Sequence, residues 1–238
     1  MHRFFAQRLD DSRACLPDEE AAHALRVLRM QPGDACQALL EGKVYAAVML
    51  ETAPQAVLQL EDELPSPEPS VRVTLYQGIP KGDKMDFIVQ KCTEAGVFRI
   101  VPVELSRCVA RWDKKDAAKK QARLQRIAAE AAKQSGRAIT PEIGLPISLG
   151  CLCEELKGFP LALVPWEEER GNGIRAKWQN EKSAAIVIGP EGGISSDEME
   201  QMAAAGAVPV TLGPRILRTE TAGLAALISL LTISGDME

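Results

Sequence analysis

The sequence predicts an α/β protein with a small β-rich unit ahead of it. Three observations carry this reading. Beyond residue 70, apolar runs of strand length alternate with longer stretches of helical periodicity, the rhythm of a mostly parallel sheet covered on both faces. Before residue 62 the apolar runs are short, and turn signals such as Gln31-Pro32-Gly33-Asp34 and Glu41-Gly42 separate them. Between the two lies Leu64-Pro65-Ser66-Pro67-Glu68-Pro69-Ser70. Its three prolines at alternate positions block helix and strand alike and make a stiff extended linker. The expected division is therefore 1–69 and 70–238.

Taken in order, the first unit offers strands at Ala35–Leu40, Val44–Leu50 and Ala56–Leu60, with one short helix at Glu19–Leu28. The second begins with an alternating strand, Val71–Gln77. Asp83 can cap a helix in which Met85, Ile88, Val89 and Cys92 recur at spacings of three and four and share one face, and Gly96 suits its C-terminal end. Strand Ile100–Leu105 follows, then a basic helix over about 116–135 that Gly136 stops. Leu161–Pro165 and Ala184–Ile188 read as strands. Ser195 with Glu198 three residues on is a capping box for a helix that Gly206 ends. Val208–Leu212 is the last strand and Thr221–Ile233 a closing apolar helix.

Composition narrows the function class. With 46% hydrophobic and 26% charged residues in 238, the chain is ordinary globular material. The N-terminal MHRFFAQRLDDS lacks the apolar stretch of roughly 7–15 residues that a secretory signal needs. No apolar run reaches the roughly 18–20 residues of a membrane helix, so the expected location is the cytoplasm. Six scattered cysteines and two histidines, with Cys151 and Cys153 the one close pair, give no four-ligand spacing, so no metal is expected. The net charge of −5 hides an asymmetry: residues 99–137 carry eleven Lys/Arg against four acids, +7 locally, which leaves −12 for the rest. Such a block suits a phosphate-binding face or a solvated helix, and charge alone does not favour the former.

Two polar, glycine-rich stretches fall at the carboxyl ends of predicted strands, where open α/β sheets bind ligands. One is Ile188-Gly189-Pro190-Glu191-Gly192-Gly193-Ile194-Ser195, the other Leu212-Gly213-Pro214-Arg215-Ile216-Leu217-Arg218-Thr219-Glu220-Thr221-Ala222-Gly223. Both precede a helix N-terminus, whose free N–H groups can hold electronegative atoms. The chain has neither G-x-G-x-x-G after its first α/β strand nor G-x-x-x-x-G-K-[ST], which argues against dinucleotide and P-loop sites. Without a Cys or His in these loops, covalent catalysis is not suggested.

Together the two stretches resemble the C-terminal signature of the SPOUT class of RNA methyltransferases and, more narrowly, the RsmE family of 16S rRNA (uracil-N3)-methyltransferases. Other segments agree: Arg3-Phe4-Phe5, His23-Ala24-Leu25-Arg26-Val27-Leu28-Arg29, Lys81-Gly82-Asp83-Lys84-Met85-Asp86, Gln90–Val97 and Ala129–Arg137. The resemblance runs through nearly the whole chain. It implies a PUA-like β-barrel at the N-terminus, a SPOUT α/β domain with a C-terminal trefoil knot, S-adenosylmethionine as methyl donor, and a homodimer with its site at the subunit interface. Departures fall at Ser106, where the family usually has an acid, and at Lys133, where it often has Glu or Cys.

On that resemblance the adenosine end of the cofactor would lie against Leu212, Gly213, Ile216 and Leu217. Gly189, Pro190, Glu191, Gly192 and Gly193 would face it across the site. Ile188, the strand end Leu163, Val164 and Pro165, and Arg218, Thr221 and Ala222 would complete the surround. Arg218 would steady charge on the uracil oxygens. Glu220 would take the N3 proton or orient Arg218; as a first-turn acid it also suits the helix dipole with no further role. Arg215 would clamp a phosphate or an intersubunit partner. Arg3, Arg26, Arg29, Lys81, Lys84, Arg107, Arg111 and Arg137 would hold phosphates of 16S rRNA in the small ribosomal subunit, and His23 would touch RNA or pack its helix. Three rival readings stand beside this one. They are a SPOUT enzyme acting on another base or a ribose hydroxyl, a non-catalytic RNA-binding assembly factor, and an α/β enzyme for a small phosphorylated metabolite.

Overall fold

The structure is a computed structural model that describes residues 1–237. The chain forms two compact units, Met1–Glu68 with Gly136–Ile139, and Pro69–Ser135 with Thr140–Glu238. No helix among the described residues is long and apolar enough to cross a membrane.

The first unit is a six-stranded sheet. Its strands are β1 (Arg3–Phe5), β2 (Gln7–Arg8), β3 (Arg13–Cys15), β4 (Ala35–Leu40), β5 (Lys43–Glu51) and β6 (Val57–Leu64), in the order β1-β4-β5-β6-β3-β2. β1 runs parallel to β4, and the other pairs are antiparallel. A two-residue turn joins β4 to β5, with φ of 54° at Glu41 and 82° at Gly42, the doubly left-handed turn whose twist suits a hairpin. Phe4, Leu16, Met30, Leu40, Met49 and Leu58 fill its core. In place of one regular helix over Glu19–Leu28, a short α1 (Asp18–Ala22) widens into a π-helical turn, His23–Val27. Arg29, at φ 56°, ends it.

The segment Gly136–Ile139 packs within this unit. Ala138 sits among Leu39, Val44 and Phe5. Arg137 is 4% exposed and donates to the Glu68 carboxylate at 2.5 Å, which also accepts the N–H groups of Ala138 and Ile139. Taking one partner from a buried pair of this kind costs about 3–5 kcal/mol. The Pro-rich stretch thus supplies an acid whose partner lies far along the chain, which no local pattern announces.

The second unit is an all-parallel sheet of seven strands. In chain order it comprises β7 (Arg72–Gly78), α2 (Lys84–Glu94), β8 (Arg99–Glu104), α3 (Lys114–Ser135), β9 (Glu142–Ile143), β10 (Ile147–Ser148), α4 (Leu149–Leu156), β11 (Ala162–Pro165), β12 (Ser183–Ile188), α5 (Ser196–Ala204), β13 (Val208–Val210) and α6 (Thr219–Ile233). The strand order is β10-β8-β7-β12-β11-β13, with β9 also on β8. Alternation along the strands builds one core on each face. Val73, Leu75, Ile186 and Ile188 point to a cluster shared with α2, α3 and α6. Tyr76, Ala185 and Val187 point to another shared with α4 and α5. β8 extends the sheet on one side of β7 and the later strands β11 to β13 on the other, so the order reverses beside β7, the kind of place where ligands bind.

The capping box at α5 is present: Ser195 Oγ accepts from the Glu198 N–H, and the Glu198 carboxylate accepts from the Ser195 N–H. That carboxylate also accepts the Ser106 N–H at 2.7 Å, which ties the loop after β8 to α5. Burial pushes the Glu198 carboxyl up, but the N–H groups of Ser106 and Ser195 outweigh it and hold the group below its usual range. The Cys151/Cys153 pair belongs to α4, one thiol exposed and the other half-buried; the other four cysteines are buried and free.

Candidate active site

A cavity of about 730 Å³ opens at the carboxyl ends of β11, β12 and β13. Three segments line it: Pro165–Arg170 after β11, Ile188–Ile194 after β12, and Thr211–Thr219 between β13 and α6, with Lys84 and Ala222 completing the surface. The size lies within the range of roughly 300–1,000 Å³ typical of small-molecule sites.

The wall after β12 is tightly built. A Cβ on Gly78 would lie 2.7 Å from both Cδ and N of Pro190, so only glycine lets the loop rest on the end of β7. A Cβ on Gly189 would meet the Gly193 carbonyl carbon at 2.9 Å, and one on Gly192 would meet Arg107 Cβ at 2.9 Å. Arg107 Nη1 donates to the Gly192 carbonyl at 2.9 Å. Glu191 Oε1 accepts from the Lys81 N–H at 3.1 Å and from Lys84 Nζ at 2.7 Å. Burial pushes the Glu191 carboxyl up, but Lys84 and nearby N–H groups prevail and leave it below the usual range. Hydrogen bonding to Glu191, reinforced by Glu220, raises the Lys84 ammonium in turn.

The wall after β13 is open. Gly213, at φ 101°, has nothing within 4 Å of where a Cβ would stand. Ile216 is 83% exposed, Arg215 and Arg218 are exposed, and Leu212 and Leu217 are half-buried. α6 then begins. Arg218 occupies its N-cap position, its carbonyl accepting from the Thr221 and Ala222 N–H groups, and its guanidinium has no partner among the described residues. Glu220 Oε2 lies 3.5 Å from Lys84 Nζ and makes no hydrogen bond among the described residues, so Lys84 stands between two carboxylates.

Of the residues expected at a cofactor, Pro165, Ile188, Gly189, Pro190, Glu191, Gly193, Leu212, Gly213, Ile216, Leu217, Arg218 and Ala222 line the cavity. Leu163 and Val164 lie fully buried within β11, Gly192 rests on Arg107, Thr221 is exposed on α6, and Glu220, half-buried, does not line the cavity. Trp166, Glu167, Glu169 and Arg170 line the cavity without having been singled out. They belong to no motif, and only their place after a strand end could have flagged them. Thr219 was passed over too, although it also lines the cavity.

The expected RNA contacts fall in different settings. Arg26, Arg29, Lys81, Arg107 and Arg111 are exposed. Arg3 is exposed but bonded to Gln37 and to the Gly136 carbonyl. His23 is half-buried with its ring 6.4 Å from that of Phe4, in keeping with a packing role. Lys84 is engaged by carboxylates at the cavity, and Arg137 is buried against Glu68. Among the described residues no cluster of three or more His, Cys, Asp and Glu side chains could hold a metal ion.

Comparison with known proteins then decides the family. Residues 66–231 match the RNA methyltransferase domain family, and residues 16–60 match the RNA methyltransferase PUA domain. The ribosomal RNA small subunit methyltransferase E of Bacillus subtilis is 35% identical, over 88% of this chain and 86% of that protein. The chain belongs to the ribosomal RNA small subunit methyltransferase E family. The methyltransferase E of Aquifex aeolicus is 33% identical over 97% of this chain and 99% of its own. A crystal structure of a ribosomal RNA small subunit methyltransferase E from Neisseria gonorrhoeae bound to S-adenosyl methionine superposes with a TM-score of 0.77 at 36% identity, covering 98% of this chain and 97% of that one. The resemblance read from the two loops is therefore borne out at the level of family, as is the α/β fold with a PUA-like domain.

Proposed function

We propose that this chain methylates N3 of a specific uridine in the 16S rRNA of the small ribosomal subunit, in the cytoplasm, with S-adenosylmethionine as donor. The observation that carries the reading is the cavity itself, walled by two glycine-containing loops at the carboxyl ends of a parallel sheet in a chain of the methyltransferase E family. The residues present fit that cofactor. Apolar Ile188, Leu212, Ile216 and Leu217 suit a purine face, closely approaching backbone at Gly189 and Gly193 suits its polar edge, and carboxylates at Glu167 and Glu191 suit a cationic ligand. When bound, S-adenosylmethionine supplies a methyl group on a positively charged sulfur, ready for an in-line nucleophile.

The residues of the chain have the remaining work. The neutral imide of uracil is a poor nucleophile at N3, so its proton must leave as the bond forms. Glu220, whose Oε2 lies 3.5 Å from the Lys84 ammonium, accepts that proton, directly or through one water, or else orients Arg218. Arg218, exposed at the cavity and unpaired among the described residues, offers two N–H groups to the charge that spreads onto the uracil oxygens. N3 is hidden in a base pair, so the target nucleotide enters unpaired or extruded. Arg3, Arg26 and Arg29 of the first unit, and Lys81, Arg107 and Arg111 of the second, hold phosphates of the RNA.

The reading extends to a C-terminal trefoil knot and to a homodimer in which a second subunit covers Ile216. Ile216 is 83% exposed beside the cavity, and covering it would take apolar area from water.

The test is to incubate the protein with methyl-labelled S-adenosylmethionine and small subunits lacking the modification, digest the RNA and identify the labelled nucleoside by mass spectrometry. Label in 3-methyluridine is the expected result. Label in another nucleoside would overturn the base assignment, and no label without cofactor binding would overturn the enzymatic reading.

A further inference from the structure

Gln77 is the one amide in strand β7, and it is 0% exposed. Its Nε2 uses both hydrogens, donating to the Gly78 carbonyl at 3.0 Å and to Thr219 Oγ1 at 2.8 Å. Its Oε1 is buried with no hydrogen-bond partner among the described residues. An amide left half-satisfied in a core carries a desolvation cost that leucine or methionine at the same place would avoid. What the apolar residue could not do is donate to Thr219.

That donation has a consequence for the hydroxyl. With Gln77 giving a hydrogen to Thr219 Oγ1, the single hydroxyl proton of Thr219 is free to point elsewhere, and it points to the Gly189 carbonyl at 2.7 Å. The relay Gln77 Nε2 to Thr219 Oγ1 to Gly189 O is therefore directional, and it joins three elements: the end of β7, the first residue of α6 and the first residue after β12. Gly189 and Thr219 belong to opposite walls of the cavity, and both line it. Thr219 is 6% exposed, so water does not compete for the hydroxyl. Space is cleared for the amide as well, because a Cβ on Gly223 of α6 would stand 3.3 Å from Gln77 Oε1.

We propose that Gln77 and Thr219 are positioning residues, a clamp that fixes the Gly189 carbonyl and the start of α6 at one separation and so sets the mouth that receives the methyl donor. The inference rests on the cofactor assignment above for its consequence, but the clamp itself is a property of the ligand-free protein. Neither side chain acts on the reacting atoms.

The test compares Thr219→Val, which keeps the shape and removes the relay, with Thr219→Ser, which keeps the hydroxyl, and with Gln77→Met. Two quantities are read: amide hydrogen exchange of the 189–194 segment without ligand, and S-adenosylmethionine affinity by calorimetry. Thr219→Val and Gln77→Met are expected to speed exchange in that segment and weaken binding about tenfold, the scale of one well-made hydrogen bond. Thr219→Ser is expected to restore both. Exchange and affinity unchanged in Thr219→Val would overturn the clamp, and so would an equal loss in Thr219→Ser, which would assign the effect to packing of the methyl group. Should Thr219→Val fail to fold, Gln77→Met against Thr219→Ser decides the same point. Failure of the wild-type protein to bind S-adenosylmethionine would sink the cofactor assignment instead, and the exchange data would still decide the clamp.

Discussion

The two walls of the cavity are made in opposite ways. The segment 189–193 is pressed against the end of β7 and against Arg107, with no room for a methyl group at Gly78, Gly189 or Gly192. The segment 213–218 leans on almost nothing: Gly213 has open space around it and Ile216 stands largely in solvent. Yet the open wall carries Arg215 and Arg218, and the packed wall carries one ionisable side chain, Glu191. The contrast teaches that a rigid reference surface and an adjustable, chemically armed surface can meet at one cavity. Rigidity fixes where a ligand sits, and the armed wall is free to close on it.

The largest effect expected from this division is on turnover with no loss of stability. Replacing Arg218 by Ala removes an exposed side chain that holds nothing in the fold, so the denaturant midpoint should stay where it is. Methyl transfer to the ribosomal subunit should fall by about 100-fold or more, the scale of losing one donor to developing charge. A variant that destabilised the fold, or that transferred methyl groups at the wild-type rate, would break the comparison.

Next comes the reverse case. Gly78→Ala touches neither ligand nor chemistry, but its Cβ would stand 2.7 Å from Pro190, partly against backbone. The loop must move, at a cost of about 1–3 kcal/mol. Urea unfolding should register that loss, and S-adenosylmethionine affinity should fall with it. A stable variant with normal affinity would mean that the packed wall is not the reference surface.

These expectations also mark what was legible in the chain. The alternation after residue 70, the capping box at Ser195 and both glycine-rich loops stand in local spacing, because helix and strand periods and caps are local physics. What escaped depends on partners far apart in sequence. Gln77 reads as an ordinary strand end until Thr219, 142 residues later, supplies its acceptor. Lys84 reads as one more basic residue for RNA until Glu191, 107 residues on, takes it. Arg137, in the basic block, is claimed by Glu68 from a linker that looked featureless. The short strands β9 and β10 escaped for a different reason. Two-residue strands have too few positions to show a period.

The Lys84 contacts give a third expectation, which depends on pH. The Glu191 carboxyl is held below 4.5, so its pairing adds stability above that pH and loses it as pH falls through the lowered value. The Lys84 ammonium is raised above 10.5, so its share is present below that pH and is lost as pH rises through the raised value. Wild-type protein should therefore unfold at a higher temperature than Lys84→Met between about pH 4.5 and 10.5, with the two curves converging outside that window. Curves that stay parallel at acid pH would show that the lysine acts by packing its stem and not by charge.

The smallest effect on the fold belongs to Ile216→Ala, and it separates the walls most cleanly. A side chain 83% exposed contributes almost nothing to burial in the isolated chain, so its loss should change unfolding by no more than about 0.5 kcal/mol. The same truncation removes apolar surface from the cavity rim. If the ligand or a second subunit covers that rim, covering it recovers about 25 cal/mol for each Å² of apolar area taken from water. A weakening of S-adenosylmethionine binding by several-fold at constant stability would identify the ligand as the cover. Unchanged affinity with a shift from dimer to monomer in sedimentation would identify the second subunit. No change in either would mean that the exposed isoleucine is surface alone, and that the open wall closes on its ligand through Leu212 and Leu217, the two apolar side chains it already keeps half-buried.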